Sequence, residues 1–231
     1  MKWLSRLELK YGRYAIRNLA YYIVGLNLAV FLPSMFILKF DALLYLTLIP
    51  QQVFKGEIWR IFTFIFLPES TKLLMGLLSI YVTYLIGTAI ENYWGKFKFN
   101  AFYFCGVLLT IIAGFVSGLG YTGFYLNMSL FLAFATLFPE HELLLFFILP
   151  VKAKYLGIAE VVFVLYQIFS LLQSGVVFWP MIAAVLASFV NYFIFFGSDI
   201  NKWIRMKLQV SRNRKRFFDQ VRPYNRNRPP Y

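Results

Sequence analysis

The chain is poor in the side chains that carry most enzyme chemistry. It holds one histidine, one cysteine and only ten acidic residues among 231. The lone cysteine, Cys105, rules out an intrachain disulfide and says little about redox compartment. One histidine and one cysteine cannot make the clusters that hold zinc or a transition metal, so no metal and no cofactor are expected. Charge of either sign is scarce, 14% of residues against 60% hydrophobic. A soluble protein so composed would expose a large apolar surface; in a membrane protein lipid covers it. What charge there is leans one way, 23 Lys and Arg giving a net +13.

The hydrophobic residues gather in blocks of roughly 20, about the length a helix needs to cross a hydrocarbon core. These are 19–38, 73–94, 99–119, 124–138, 155–173 and 176–196. The expectation is an all-α polytopic protein with six transmembrane helices. The block 124–138 makes a helix of only about 22 Å, short for a span, so it is expected at the centre, shielded by the others. Aromatic residues, 21% of the chain, crowd toward block ends, as interface belts do. The apolar run 61–67 is too short to span and reads as interfacial or re-entrant, and 143–149 as extended or interfacial.

Residues 1–17 alternate Trp3, Leu4, Leu7, Tyr11 and Tyr14 with five basic side chains. That pattern predicts an amphipathic helix lying on an anionic lipid surface, and it has no clean apolar core of a cleavable signal peptide. Residues 199–231 form a polar tail with ten Lys and Arg. Its basic side chains suit anionic lipid better than phosphates of nucleic acid, since the chain is tethered to a membrane, and no nucleic-acid partner is expected. The organisation is therefore a helix over 1–17, a membrane domain over 18–198 and a basic tail over 199–231. On alternate sides of a six-span chain, 19 of the 23 basic residues fall with the two termini. The positive-inside rule then puts both termini in the cytoplasm, and the plasma membrane is the expected location.

Gly87, Glu91 and Gly95 stand four apart near the end of the second block. They share one helix face. The glycines are expected to let another helix approach, and Glu91 puts an ionisable group at a packing site near the membrane exit. In the first loop, Gln51 to Arg60 followed by Phe62-Thr63-Phe64 contains a Trp59-Arg60 pair.

These two motifs, the six blocks, the long first loop and the short fourth helix resemble the rhomboid superfamily over roughly residues 53–197. The resemblance implies a six-helix bundle with a hydrated cavity, with Trp59 and Arg60 as a loop anchor and Gly87, Glu91 and Gly95 as the second-helix motif. Active members begin the fourth helix with Gly-x-Ser-Gly, the serine being the nucleophile, and carry the basic histidine in an Ala-His pair on the sixth. The matching stretch here reads Leu126-Asn127-Met128-Ser129-Leu130, without the glycines. On the sixth block Ser188 falls where the histidine would, and Asn191 replaces a packing glycine.

A serine nucleophile needs a base within about 2.6–3.2 Å. His141 follows Ser129 by 12 residues. Along one helix that separation is roughly 18 Å, at the opposite end from the expected cavity. No lysine lies within a block, and Glu91 and Glu160 read more simply as hydrogen-bonded structural groups. The leading expectation is a catalytically inactive rhomboid-like protein, similar in logic to rhomboid pseudoproteases and derlins. It would bind client transmembrane helices and influence their stability or trafficking. Asn127, Ser129, Ser188 and Asn191 are the candidate cavity or client contacts. Two alternatives stay open: a rhomboid intramembrane serine endopeptidase using Ser129 with an unrecognised base, and a small transporter or channel.

Overall fold

A computed structural model of the chain describes residues 2–36, 45–67, 70, 72–145, 149–173 and 179–226. Contacts divide the chain into a main unit, Met1–Tyr192, and a second unit, Phe193–Tyr231.

The main unit is mostly helical. Helix α1, Lys2–Tyr11, gives way to a single 3-10 turn, Gly12–Tyr14. The amphipathic helix expected over 1–17 therefore stops early. Gly12 is a poor helix former, and the chain must then turn into the first apolar helix. Asn18 makes that turn with φ of 58°, in the left-handed region that asparagine tolerates better than most residues. Helix α2, Leu19–Phe36, follows. The last residues expected in this helix, 37 and 38, lie outside the described residues.

The first loop holds two short helices, α3 (Pro50–Phe54) and α4 (Arg60–Thr63), and a 3-10 turn at Phe64–Phe66. None can span, in keeping with the short apolar run. Helix α5 is Leu73–Trp94 and α6 is Lys96–Ser117. Only Gly95 separates them, at φ +82°, so Lys96 and Lys98 stand in the first turn of α6 and not in a loop. Helix α7, Phe124–Leu137, has 14 residues, of which eight are buried. It packs against α5, α6 and the helix that follows the hairpin. That is the shielded central position its length calls for.

A two-stranded antiparallel hairpin follows, β1 (Glu142–Leu145) with β2 (Leu149–Lys152), Glu142 opposite Lys152. The hairpin holds both ends of the run 143–149 expected to be extended or interfacial, within a chain that is otherwise mostly helical. Pro139 and Pro150 flank or interrupt the stretch and disfavour a helix there. Helix α8 is Ala153–Gln173 and α9 is Trp179–Arg226.

Among the described residues, four helices are long and apolar enough to cross a membrane: α2, α5, α6 and Ala153–Ser170 of α8. Helix α7 and the segment Ile182–Gly197 of α9 are apolar but shorter. The second unit continues α9 to Arg226, with Arg205, Arg212, Arg214 and Arg216 exposed. No helix break falls at 198/199, where the tail was expected to begin, because neither proline nor a turn-forming pair follows Gly197 until Pro223.

Candidate functional site

Ser129 sits in the middle of α7 and is completely buried. Its hydroxyl donates to the Leu126 carbonyl at 2.8 Å, the back-bond that serine commonly makes inside a helix. It also accepts from the Asn191 side-chain amide of α9 at 3.1 Å. Asn191 is equally buried, and it occupies room left by a glycine on a third helix. A Cβ on Gly106 of α6 would lie 2.8 Å from Asn191 Nδ2 and 2.5 Å from Leu126 Cδ1. So α6, α7 and α9 meet around one serine–asparagine contact. Asn191 Oδ1 has no hydrogen-bond partner among the described residues. Ser188, one turn earlier on α9, is buried and donates to the Val185 carbonyl of its own helix at 2.8 Å.

The chemistry open to this contact is limited. A carboxamide nitrogen has no lone pair able to take a proton, so Asn191 can orient Ser129 but cannot activate it. His141 lies past the C-terminal end of α7, exposed, with its ring edge-on to Phe134 at 5.6 Å between centroids. Its backbone N–H donates to the Phe138 carbonyl, which fixes the residue at that end of the helix.

The four residues expected at a cavity do not share one. Ser129, Ser188 and Asn191 are core residues, and none lines either of two cavities beside α7. Asn127, two residues before Ser129, turns the other way. It lines a cavity of about 510 Å³ with Ser79 and Thr83 of α5, Phe131 of α7 and Glu160 of α8. A second cavity, about 480 Å³, shares Leu78, Val82, Phe131 and Glu160 with the first and reaches Glu142 on β1. Read from the sequence, Glu160 was a structural group; its place on both cavities was not legible from position alone.

The motif residues act through backbone groups. Glu91 is buried, and its two carboxylate oxygens accept from the N–H groups of Leu19 and Ala20, each at 3.1 Å. It thereby closes the N-terminal turn of α2, where N–H groups have no partner inside their own helix and a negative charge meets the positive helix end. Gly87, one turn earlier, makes this approach possible: a Cβ there would come within 3.1 Å of Ala20 Cβ. Gly95 serves otherwise than expected. Nothing lies within 4 Å of its missing Cβ, and its positive φ, not close packing, calls for glycine. Asn100 of α6 completes the joint. It exchanges two hydrogen bonds with the backbone of Ile16, at 2.9 and 3.0 Å. An asparagine at the start of an apolar block was the available signal for it.

Trp59, Arg60 and Thr63 collect consecutive carbonyls. Arg60 is buried and donates to Thr47 O at 2.9 Å, Trp59 Nε1 donates to Tyr45 O at 3.3 Å, and Thr63 donates to Leu46 O at 3.2 Å. Arg60 also pairs with Glu57. The next residue, Leu48, exchanges backbone hydrogen bonds with Tyr121 ahead of α7. The loop is thus pinned to the entrance of the central helix. At the opposite end, Glu140 accepts from Lys152 at 2.7 Å and from Lys154. These two bonds hold its carboxyl down at about 2 and push Lys152 up.

No group of three or more His, Cys, Asp or Glu placed to hold a metal occurs among the described residues. No curated protein and no solved structure matches the chain. A family model, described as eukaryotic integral membrane protein (DUF1751), matches residues 23–205, which runs from within α2 through the apolar part of α9. With an apolar helical framework of this kind and a match over most of its length, the chain belongs to that family of eukaryotic integral membrane proteins.

Proposed function

We propose that this chain is a catalytically inactive rhomboid-like membrane protein, which binds transmembrane segments of other membrane proteins and influences their stability or trafficking. The observation that carries the reading is the Ser129–Asn191 contact. The serine in the position resembling the family's nucleophile is buried, back-bonded to Leu126 and held by an amide in place of a base. The Trp59-Arg60 anchor and the Gly87/Glu91 face support the rhomboid likeness, since each makes the backbone contacts such a scaffold needs. In this reading α7 and the apolar part of α9 complete six spans, and the placement of basic residues supports cytoplasmic termini. Basic α1 and the basic end of α9 lie against anionic lipid. A eukaryotic membrane protein can reside at the cell surface or inside, and surface biotinylation tests the plasma-membrane placement.

Photo-crosslinking from Asn127, which lines the larger cavity, tests the client reading in intact membranes. Membrane-protein adducts are expected, and a proteome-wide screen that returns none overturns it. The competing reading, an intramembrane serine endopeptidase using Ser129, predicts fluorophosphonate labelling that Ser129→Ala abolishes. The buried hydroxyl speaks for no labelling.

A further inference from the structure

Two cavities meet at one carboxylate. Helices α5 and α8 each pack on α7, and the lining of both cavities comes chiefly from these three helices. Leu78, Val82 and Phe131 form the shared apolar wall, and Glu160 is the charged side chain common to both. Glu142, on the strand opposite Lys152, lines the second cavity only. Among the described residues, no lysine, arginine or histidine lines either cavity. Glu160 stands seven residues into α8 from Ala153, about 10 Å along the helix from the hairpin end. The groove therefore presents a carboxyl at two depths, Glu160 within α8 and Glu142 at the hairpin opposite Lys152.

We infer that this groove takes a transmembrane helix of another protein bearing a lysine or arginine about two turns inside the membrane, with Glu160 as its counter-charge. The inference rests on the client-binding reading and names the chemistry of the client. A basic side chain at that depth is costly in lipid and is relieved by a carboxylate facing it. An all-apolar helix has no such reason to leave the lipid, because lipid tails solvate it as well as leucine side chains do. The groove thus separates helices by an embedded charge, and its apolar wall accommodates many sequences around it. Exposed Tyr81 and Phe163 line the same groove, giving a helix arriving from the lipid an aromatic surface to pack on.

The test uses the full chain in phosphatidylcholine nanodiscs, with a photo-crosslinker at Phe163. The probes are two 21-residue Leu/Ala helices, one with a single lysine about two turns from one end and one with leucine there. The lysine helix is expected to be captured about tenfold more than the leucine helix, equivalent to about 1.4 kcal/mol. Glu160→Gln, which preserves shape, should bring the two to equality. Val82→Trp, which fills the groove, should abolish capture of the lysine helix. Equal capture of both helices by the unaltered protein overturns the charge selection and leaves client binding standing. Capture of neither overturns both. Selectivity that survives Glu160→Gln, or that depends on Glu142 instead, removes Glu160 from the role. Loss of lysine-helix capture on adding phosphatidylethanolamine assigns the groove to a lipid amine and overturns the inference.

Discussion

The side-chain amide of Asn191 reaches across from α9 to the hydroxyl of Ser129 at 3.1 Å, and that hydroxyl is already committed to the Leu126 carbonyl. Removing the serine hydroxyl strands the Asn191 amide in a buried site, while the hydroxyl without Asn191 keeps its bond to Leu126. Ser129→Ala is expected to lower stability by about 1–3 kcal/mol, because the amide then has no acceptor. Asn191→Ala should cost a similar amount, partly through the space opened beside Gly106. The double variant should cost less than the sum, since the shared hydrogen bond is lost only once. Thermal unfolding in detergent measures all three, and strict additivity would argue against the contact.

Glu91→Ala leaves the Leu19 and Ala20 N–H groups without their acceptors. A loss of about 2–3 kcal/mol is expected, with Glu91→Gln retaining part because one carbonyl oxygen remains. Hydrogen exchange should quicken first at Leu19 and Ala20. Unchanged protection there would contradict the capping role.

The glycines separate into kinds. Gly106→Ala should be damaging by about 1–3 kcal/mol, since the new methyl overlaps Leu126 and the Asn191 amide. Gly25→Ala, with nothing within 4 Å, should be neutral or stabilising. Gly95→Ala should cost about 1–3 kcal/mol through its backbone angles alone, φ 82° and ψ 161°. The ranking is read from melting temperatures of the three variants.

Arg60→Ala frees the Thr47 carbonyl and leaves Glu57 without its guanidinium. We expect a loss of about 2–3 kcal/mol and faster proteolysis between residues 45 and 67. Arg60→Lys should recover little of this, because an ammonium lacks the fork that serves a carbonyl and a carboxylate together.

Glu140 gives the chain a pH response at the hairpin. Its carboxyl is held at about 2, below its ordinary 4.5, chiefly by hydrogen bonds from Lys152 and then Lys154. A lowered value in the folded state means the contribution is full above about 4.5 and fades as pH falls toward 2. Amide protection in β1 and β2 should therefore weaken over that window, and Glu140→Gln should remove the dependence. Both lysines and the carboxylate are partly solvated, so added salt should shrink the effect.

Much of the framework was legible because apolar length is a strong signal. The helices at 19–36, 73–94 and 124–137 start where the blocks do, and the short fourth block is the buried centre. Backbone recipients were the hidden part. Glu91 could be marked as an expensive charge on a small-residue face, but nothing local in the chain says that its partners are two N–H groups 72 and 71 positions away. Gly95 has the spacing of a packing glycine, yet spacing carries no information about φ. Asn127 and Ser129 are two apart, which on a helix means different faces, so one reaches a cavity and the other the core. Ser188 and Asn191 could be marked as interhelical polar residues, but Asn191 alone makes the crossing to α7, while Ser188 bonds within its own helix.

The long reach of Glu91 has a consequence for biogenesis. Leu19 and Ala20 leave the ribosome well before the acceptor that completes their turn has been made. Until α5 enters the bilayer, the start of α2 is an unfinished end. Insertion of the first span is thus provisional, and arrival of the second is what seals it.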